Sequence, residues 1–388
     1  MSKAVHRVRG GTEIKLEYIG ERKFMMINID FLVSGCNTHC KHCYVDGGPG
    51  SMMPLKDALL CIEKLDEVAK YLSDRPSFTL DHEPMNHPGI DQILYKACHT
   101  KYIDNYHHGM TTGVALMQRK DKEAVIKSYL DNGYNSFGIT IHGAAVHHDE
   151  IVRRKGTFDT TIAAARFLQQ MGCQIKIVSL MMNRYFAEDA DEISRMLDAL
   201  GTENVRIVSP IFTPHSSMMA FEPHRATLET FEVIRSRLAD WHLNEQEVME
   251  AAEHGCIEAA VNRLHSIDLF RLWTGEQAEL YLTLHPDCKF YVGNTGVETR
   301  CLGDLRTLDP QETADIINAL PGNREYNAFY DEEDLPAIED VCNVLENLPQ
   351  HLVYGDFESV LYRAFVQLGV QTKLILSHPS EQWEETGQ

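Results

Sequence analysis

The sequence predicts an α/β fold: a parallel sheet, curved or closed, followed by a helical region and a small β-rich region. Three observations predict it. Between residues 24 and 212, six short β-rich segments alternate with segments of helical periodicity, and alternation of that kind builds a parallel sheet. The first of them, FMMINIDFLVS (24–34), is almost continuously apolar, as a strand buried on both faces must be. After residue 215 the alternation stops and a different pattern begins.

The elements follow in order. PLKDALLCIEKLDEVAKYLSD (54–74) is helical, opened by Pro54 and ended before Pro76, because proline suits a first turn and breaks an interior. SFTLD (77–81) is a strand, and the loop HEPMNHPG leads to the helix 90–101. IDNYHHGMTTG (103–113) reads as strand then turn, and 114–133 as one helix ending at Gly133. NSFGITIHG (135–143) is a strand, 157–172 a helix and CQIKIVSLMMN (173–183) a strand. An acid-started helix (187–201) stops at Gly201, and NVRIVSPIF (204–212) is the sixth strand. Beyond it, 224–266 is largely helical, 279–305 is a small β-meander, and DPQETADIINAL and DFESVLYRAFVQLG are helical. The polar tail from Ser377 is expected to fray. The division expected is 1–220 for the sheet region, 221–275 for a helical connector and 276–388 for a cap.

Composition narrows the function. The chain has 388 residues, 44% hydrophobic and 24% charged, so it can bury a large core without staples. Its net charge of −21 argues against a nucleic-acid surface or an anionic membrane as partner. No apolar signal segment or span of membrane length is visible, which places the protein in the cytoplasm. There, ten cysteines stay reduced, and a tight cluster of them reads as metal binding or catalysis.

That cluster is GCNTHCKHCYV (35–45), with Cys36, Cys40 and Cys43 in a loop after the first strand. In parallel sheets the chemistry sits at the carboxyl ends of the strands. Thiolates spaced this way wrap three irons of a four-iron cluster and leave the fourth open to a small molecule. The alternative is a zinc site completed by His39 or His42. The histidines of NYHHGMTTG and HGAAVHHDE invite a second metal site but read as loop polars, and Cys61, Cys98 and Cys173 read as core.

CNTHCKHCY resembles the cluster loop of radical S-adenosylmethionine (SAM) enzymes, whose pattern is Cys-x3-Cys-x-aromatic-Cys, with His42 at the aromatic position. The likeness extends over residues 25 to about 212 and implies a partial (β/α)6 TIM-like barrel. It implies as cofactors a [4Fe-4S] cluster on Cys36, Cys40 and Cys43, and SAM. DHEP is similar to the family's Gly-Gly-Glu-Pro, with Asp81 and His82 replacing the glycines and Glu83 accepting from the SAM amino group. TTG (111–113) resembles Thr-Asn-Gly, which brings in Thr112, and ITIHG resembles Ser-Leu-Asp-Gly, which brings Thr140 and His142 to the ribose. HDEIVRRKGTFD matches a segment of the subgroup with iron–sulfur extensions, so Arg153, or Arg154 by a one-residue slip, pairs with the SAM carboxylate. Asn183 falls where relatives keep a polar residue near the nucleoside.

The region 286–305 resembles the start of a SPASM/twitch extension, but Cys288 stands at its glycine position and Gly293 at its cysteine position. Two readings stay open: a cap that kept its fold and lost its clusters, and one auxiliary cluster on Cys288, Cys301 and Cys342. Only 35 residues precede Cys36, fewer than a peptide-recognition module needs. The expected substrate is therefore a small molecule: a sugar, aminocyclitol, nucleoside or amino acid. The alternatives are a peptide or protein maturase and a non-catalytic zinc- or cluster-binding protein. An electron donor such as flavodoxin or ferredoxin is the expected partner. Cys256, Cys288 and Cys301 are candidate hydrogen donors to a substrate radical, although a buried cysteine is more often simply core.

Overall fold

The computed structural model describes residues 6–7, 13–14, 26–45, 47–105, 108–202, 204–213, 216–265, 279–320, 330 and 334–374. The tail from Ser377 lies outside them. A two-stranded ribbon, β1 (His6–Arg7) and β2 (Glu13–Ile14), comes first. The parallel strands follow: β3 (Met26–Phe31), β4 (Ser77–Leu80), β5 (Asp104–Asn105), β6 (His108–Met110), β7 (Ser136–Ile141), β8 (Gln174–Met181) and β9 (Val205–Val208). Pairing runs in sequence order, β3 to β4 to β5 in one sheet and β6 to β7 to β8 to β9 in another. The chain crosses between the sheets from Asn105 to His108, so the third expected strand is two short pieces. In β7, Ser136, Phe137, Gly138 and Ile139 are all buried, the signature of a strand covered on both faces. The whole is the mixed α/β, TIM-like arrangement that the alternation predicts.

Helices α1 (Leu55–Ala69), α2 (Ile90–Cys98), α3 (Val114–Gln118), α4 (Lys122–Asp131), α5 (Ala145–Val152), α6 (Thr157–Gln170) and α7 (Phe186–Leu200) connect the strands. The segment 114–133 is two helices rather than one. At the break, Arg119 donates from Nη1 to the carbonyls of Met85 and His87 at 2.9 Å and pairs with Asp121 at 2.8 Å. A guanidinium fork satisfying two buried-loop carbonyls outweighs one helical turn. Helix α5 has no counterpart in the sequence reading; its short HHDE run carries little apolar periodicity.

The later region holds α8 (Leu228–Arg235), α9 (Glu245–His254) and α10 (Ile257–Leu264), strands β10 (Glu279–Leu284), β11 (Lys289–Val292) and β12 (Arg300–Asp304), then α11 (Pro310–Asn318), α12 (Ile338–Glu346) and α13 (Phe357–Leu368). The meander has an unexpected connection. β10 lies parallel to β3 along its full length, from Glu279 opposite Met26 to Leu284 opposite Phe31. The sheet order is therefore β12-β11-β10-β3-β4-β5. Leu280, Leu282 and Leu284 join Ile27, Ile29 and Phe31 in one core, while α10, α12 and α13 build a second core with Phe212 and Tyr354.

Candidate active site

The cluster loop leaves the carboxyl end of β3 and folds over itself. Cys36 N–H donates to the Gly48 carbonyl at 2.9 Å, and Gly47 N–H to Cys43 Sγ at 3.1 Å. A Cβ at Gly47 would lie 3.2 Å from Cys43 Sγ and 3.4 Å from Cys36 Sγ, so a side chain there would press on the two sulfurs. Burial pushes the Cys36 thiol well up, and the neighbouring Cys43, Glu83, Cys40 and Asp81 push it the same way. Acidic groups crowded in a desolvated place call for a metal cation or cluster to balance them. The three thiols do not gather within 4.8 Å of one another, whereas Cys40, His42 and His142 do. Tetrahedral zinc holds thiolates at about 2.3 Å from the metal, hence closer together than all three of these lie.

Glu83 is fully buried beside this loop. Thr111 Oγ1 donates to its Oε1 at 2.9 Å, and its Oε2 takes Thr112 N–H at 2.9 Å and Thr112 Oγ1 at 2.8 Å. Burial raises the carboxyl pKa, and the Thr112 and Thr111 bonds oppose the rise. Ser34 Oγ holds the Glu83 carbonyl at 2.9 Å. His82, at a glycine position of the family motif, has φ 59: the left-handed backbone persists although the glycine has gone.

The strand tips enclose a cavity of about 160 Å³ bordered by Cys40, His42, Thr112, Thr140, His142 and His148, among others. Five of the residues singled out from the sequence therefore meet there. His42 Nε2 lies 2.7 Å from His142 Nε2, and His142 N–H donates to His148 Nδ1 at 3.2 Å. That acceptor places the His148 proton on Nε2. Burial lowers His42 and His148 to about 4 and His142 well below its usual value, so all three rings are neutral at pH 7. His148 is among the histidines of HGAAVHHDE read as loop polars; its role depends on the turn into α5, which brings it back to His142.

Asn183 sits behind the cavity. Its Nδ2 donates to the His142 carbonyl at 2.7 Å and its Oδ1 accepts from Tyr185 N–H at 3.0 Å, so it ties two strand tips together. Arg153 ends α5, is exposed and has φ 56. Its neighbour Arg154 reaches the cluster loop, donating from Nη1 to the Asn37 carbonyl at 2.8 Å.

The late cysteines scatter. Cys288 is buried with φ 67 in the barrel core that also holds the free thiol of Cys61 on α1. Cys342 is in the second core, Cys301 is exposed, and Cys256 borders an outer groove between α8 and α10. Among the described residues, no group of three closely spaced metal-ligating side chains includes any of them. None of the three hydrogen-donor candidates borders the cavity.

Comparison with known proteins gives one family. Residues 31–197 match the model of the radical SAM superfamily. No curated protein matches. Among solved structures, native anSMEcpe with bound AdoMet and Cp18Cys peptide is 10% identical, with 88% of this chain and 96% of that chain covered at a TM-score of 0.47. Streptococcus suis SuiB bound to S-adenosylmethionine is 11% identical, covering 86% and 77% at 0.49. Coproporphyrinogen III oxidase (HemN) from Escherichia coli, a radical SAM enzyme, is 9% identical, covering 90% and 91% at 0.42. The family uses a [4Fe-4S] cluster and SAM, and the three cysteines of the cluster loop are in place. Residues 31–197 are therefore a radical SAM domain.

Proposed function

We propose that the protein cleaves SAM reductively and abstracts a hydrogen atom from a small-molecule substrate. The observation that carries this reading is Glu83, a buried carboxylate fixed by Thr111 and Thr112 beside the three-cysteine loop. A structural metal site has no use for it. When bound, the cluster and SAM supply a 5′-deoxyadenosyl radical. The chain positions them. Cys36, Cys40 and Cys43 hold three irons, and Glu83 Oε1, with one short bond from Thr111, keeps lone pairs for the SAM amino group. Thr140, His142 and the neutral His42 border the cavity and would face the nucleoside, whereas Arg153, exposed at the end of α5, does not line it. The C-terminal region is read as a SPASM/twitch-like cap without auxiliary clusters. The carbon attacked and the product radical's fate depend on the substrate, and a peptide substrate is the runner-up.

The test is anaerobic reconstitution with iron and sulfide. The expected product is brown, absorbs near ~400 nm, and releases 5′-deoxyadenosine from SAM. Cys36→Ala, Cys40→Ala and Cys43→Ala should each lose both. Retention of both by any of them sinks the reading. Deuterium transfer into 5′-deoxyadenosine from labelled candidate metabolites, and from peptides, separates the two substrate classes.

One observation favours a second reading: Cys40, His42 and His142 lie close enough together to hold a single ion such as zinc. Metal analysis decides, because zinc without sulfide in a colourless protein, lost on His142→Ala, supports it.

A further inference from the structure

Resting on that reading, we infer that the α5 end of the barrel mouth is the docking surface for a small acidic one-electron carrier protein. Arg153, Arg154 and Lys155 form the chain's one run of three basic residues, against a net charge of −21. They sit on the cluster loop. The Lys41 N–H donates to the Ile151 carbonyl at 2.9 Å, the His39 N–H to the Val152 carbonyl at 3.4 Å, and Arg154 holds Asn37. Two more cations share the face. Lys41 Nζ lies 2.9 Å from His224 Nε2, and Arg184 donates its backbone N–H to the His224 carbonyl at 3.0 Å and its Nη2 to the Tyr185 hydroxyl at 3.1 Å.

The local acids are largely engaged. Glu150 pairs with Lys41 at 3.1 Å, Asp149 accepts the N–H groups of Gly156 and Phe158, and Glu188 is 3.4 Å from His147. Arg153, Lys155 and Arg184 are exposed and make no ion pair among the described residues. Val146, 76% exposed on α5, adds an apolar contact one and two turns from Glu150 and Arg153. An acidic carrier would meet general repulsion from a protein of net charge −21 and attraction at this face, which orients the encounter. Among the described residues Cys288, Cys301 and Cys342 do not come together, so the electron is taken to enter at the cluster loop itself. The carrier, as an anionic flavin hydroquinone, loses one electron to become the neutral semiquinone. The cluster gains that electron, and no proton moves.

The experiment uses the cluster-loaded enzyme with flavodoxin as probe. Flavodoxin affinity is measured by fluorescence titration at about 50 mM and about 500 mM salt, where the Debye length shortens severalfold. The charge-reversal pair Lys155→Glu and Arg184→Glu should weaken binding at least about tenfold at low salt and flatten the salt dependence. Lys127→Glu, exposed on α4, should leave both unchanged. Deoxyadenosine release driven by dithionite should persist in the double variant, while release driven by reduced flavodoxin falls with the affinity. An unchanged affinity in the double variant, or an equal loss in Lys127→Glu, overturns the docking surface. Failure of the wild type to cleave SAM with dithionite would instead overturn the enzymatic reading, whatever the flavodoxin affinity.

Discussion

At the residue scale, the site is built from groups whose charge is set by burial. Glu83 should act through its charge: Glu83→Gln keeps the shape and loses one charge-assisted bond to SAM. Such a bond contributes about 1.5–3 kcal/mol, so SAM affinity should fall roughly ten- to a hundredfold while iron content holds. Equal SAM affinity in the variant would remove Glu83 from the site. His148 gives a pH prediction. Its folded pKa of about 4 lies below the unfolded value of about 6.5, so the unfolded chain takes up the proton first. The stability held by keeping it neutral is complete above pH ~6.5 and is lost as pH falls towards ~4, by up to roughly 3 kcal/mol. His42 and His142 add in the same direction. His148→Asn keeps an acceptor for the His142 N–H without titrating, so denaturant midpoints measured between pH 7 and 4.5 should fall less steeply than in the wild type. The three-cysteine loop was legible from its spacing, whereas Glu83 was named only through the resemblance of DHEP to a family motif. His148 was legible only as a loop polar, because its contact with His142, six residues earlier, depends on how the chain turns into α5.

At the element scale, two local choices hold the site in register. The break between α3 and α4 exists for Arg119, whose fork clamps the turn that follows Glu83. Arg119→Lys offers a point charge in place of the fork. It should cost about 1–2 kcal/mol in thermal stability and weaken SAM binding with it. The second choice is the turn after β11. Gly296 has φ 81, and a Cβ there would lie 2.5 Å from Val45 Cα, beside the cluster loop. Gly296→Ala forces the turn off that loop and should destabilise by at least about 2 kcal/mol, with reduced iron uptake on reconstitution. Normal melting and iron content would show that the turn and the loop are independent. The helix break falls in the polar run 118–123 (QRKDKE), which interrupts the apolar period, and the carbonyls of a distant turn make the interruption worthwhile.

At the scale of the molecule, β10 is the decisive element. It covers β3, whose Ile27, Ile29 and Phe31 are buried, and so closes an edge that would otherwise template aggregation. A chain ending at Leu264 lacks that strand and should be insoluble or aggregated by gel filtration, whereas a soluble, monomeric, cluster-binding fragment would count against the role given to β10. By itself the sequence determined the alternation of strands and helices, the three-cysteine loop and the acidic balance of the whole. These are properties of local periodicity, spacing and composition, which need no knowledge of neighbours. Only the tertiary structure decided that β10 joins the sheet beside β3, that the late cysteines stand apart, and that the basic end of α5 lies against the cluster loop. Each of those is a contact between segments far apart in the chain, chosen by which buried surfaces and backbone groups satisfy one another, and local pattern carries no record of that choice.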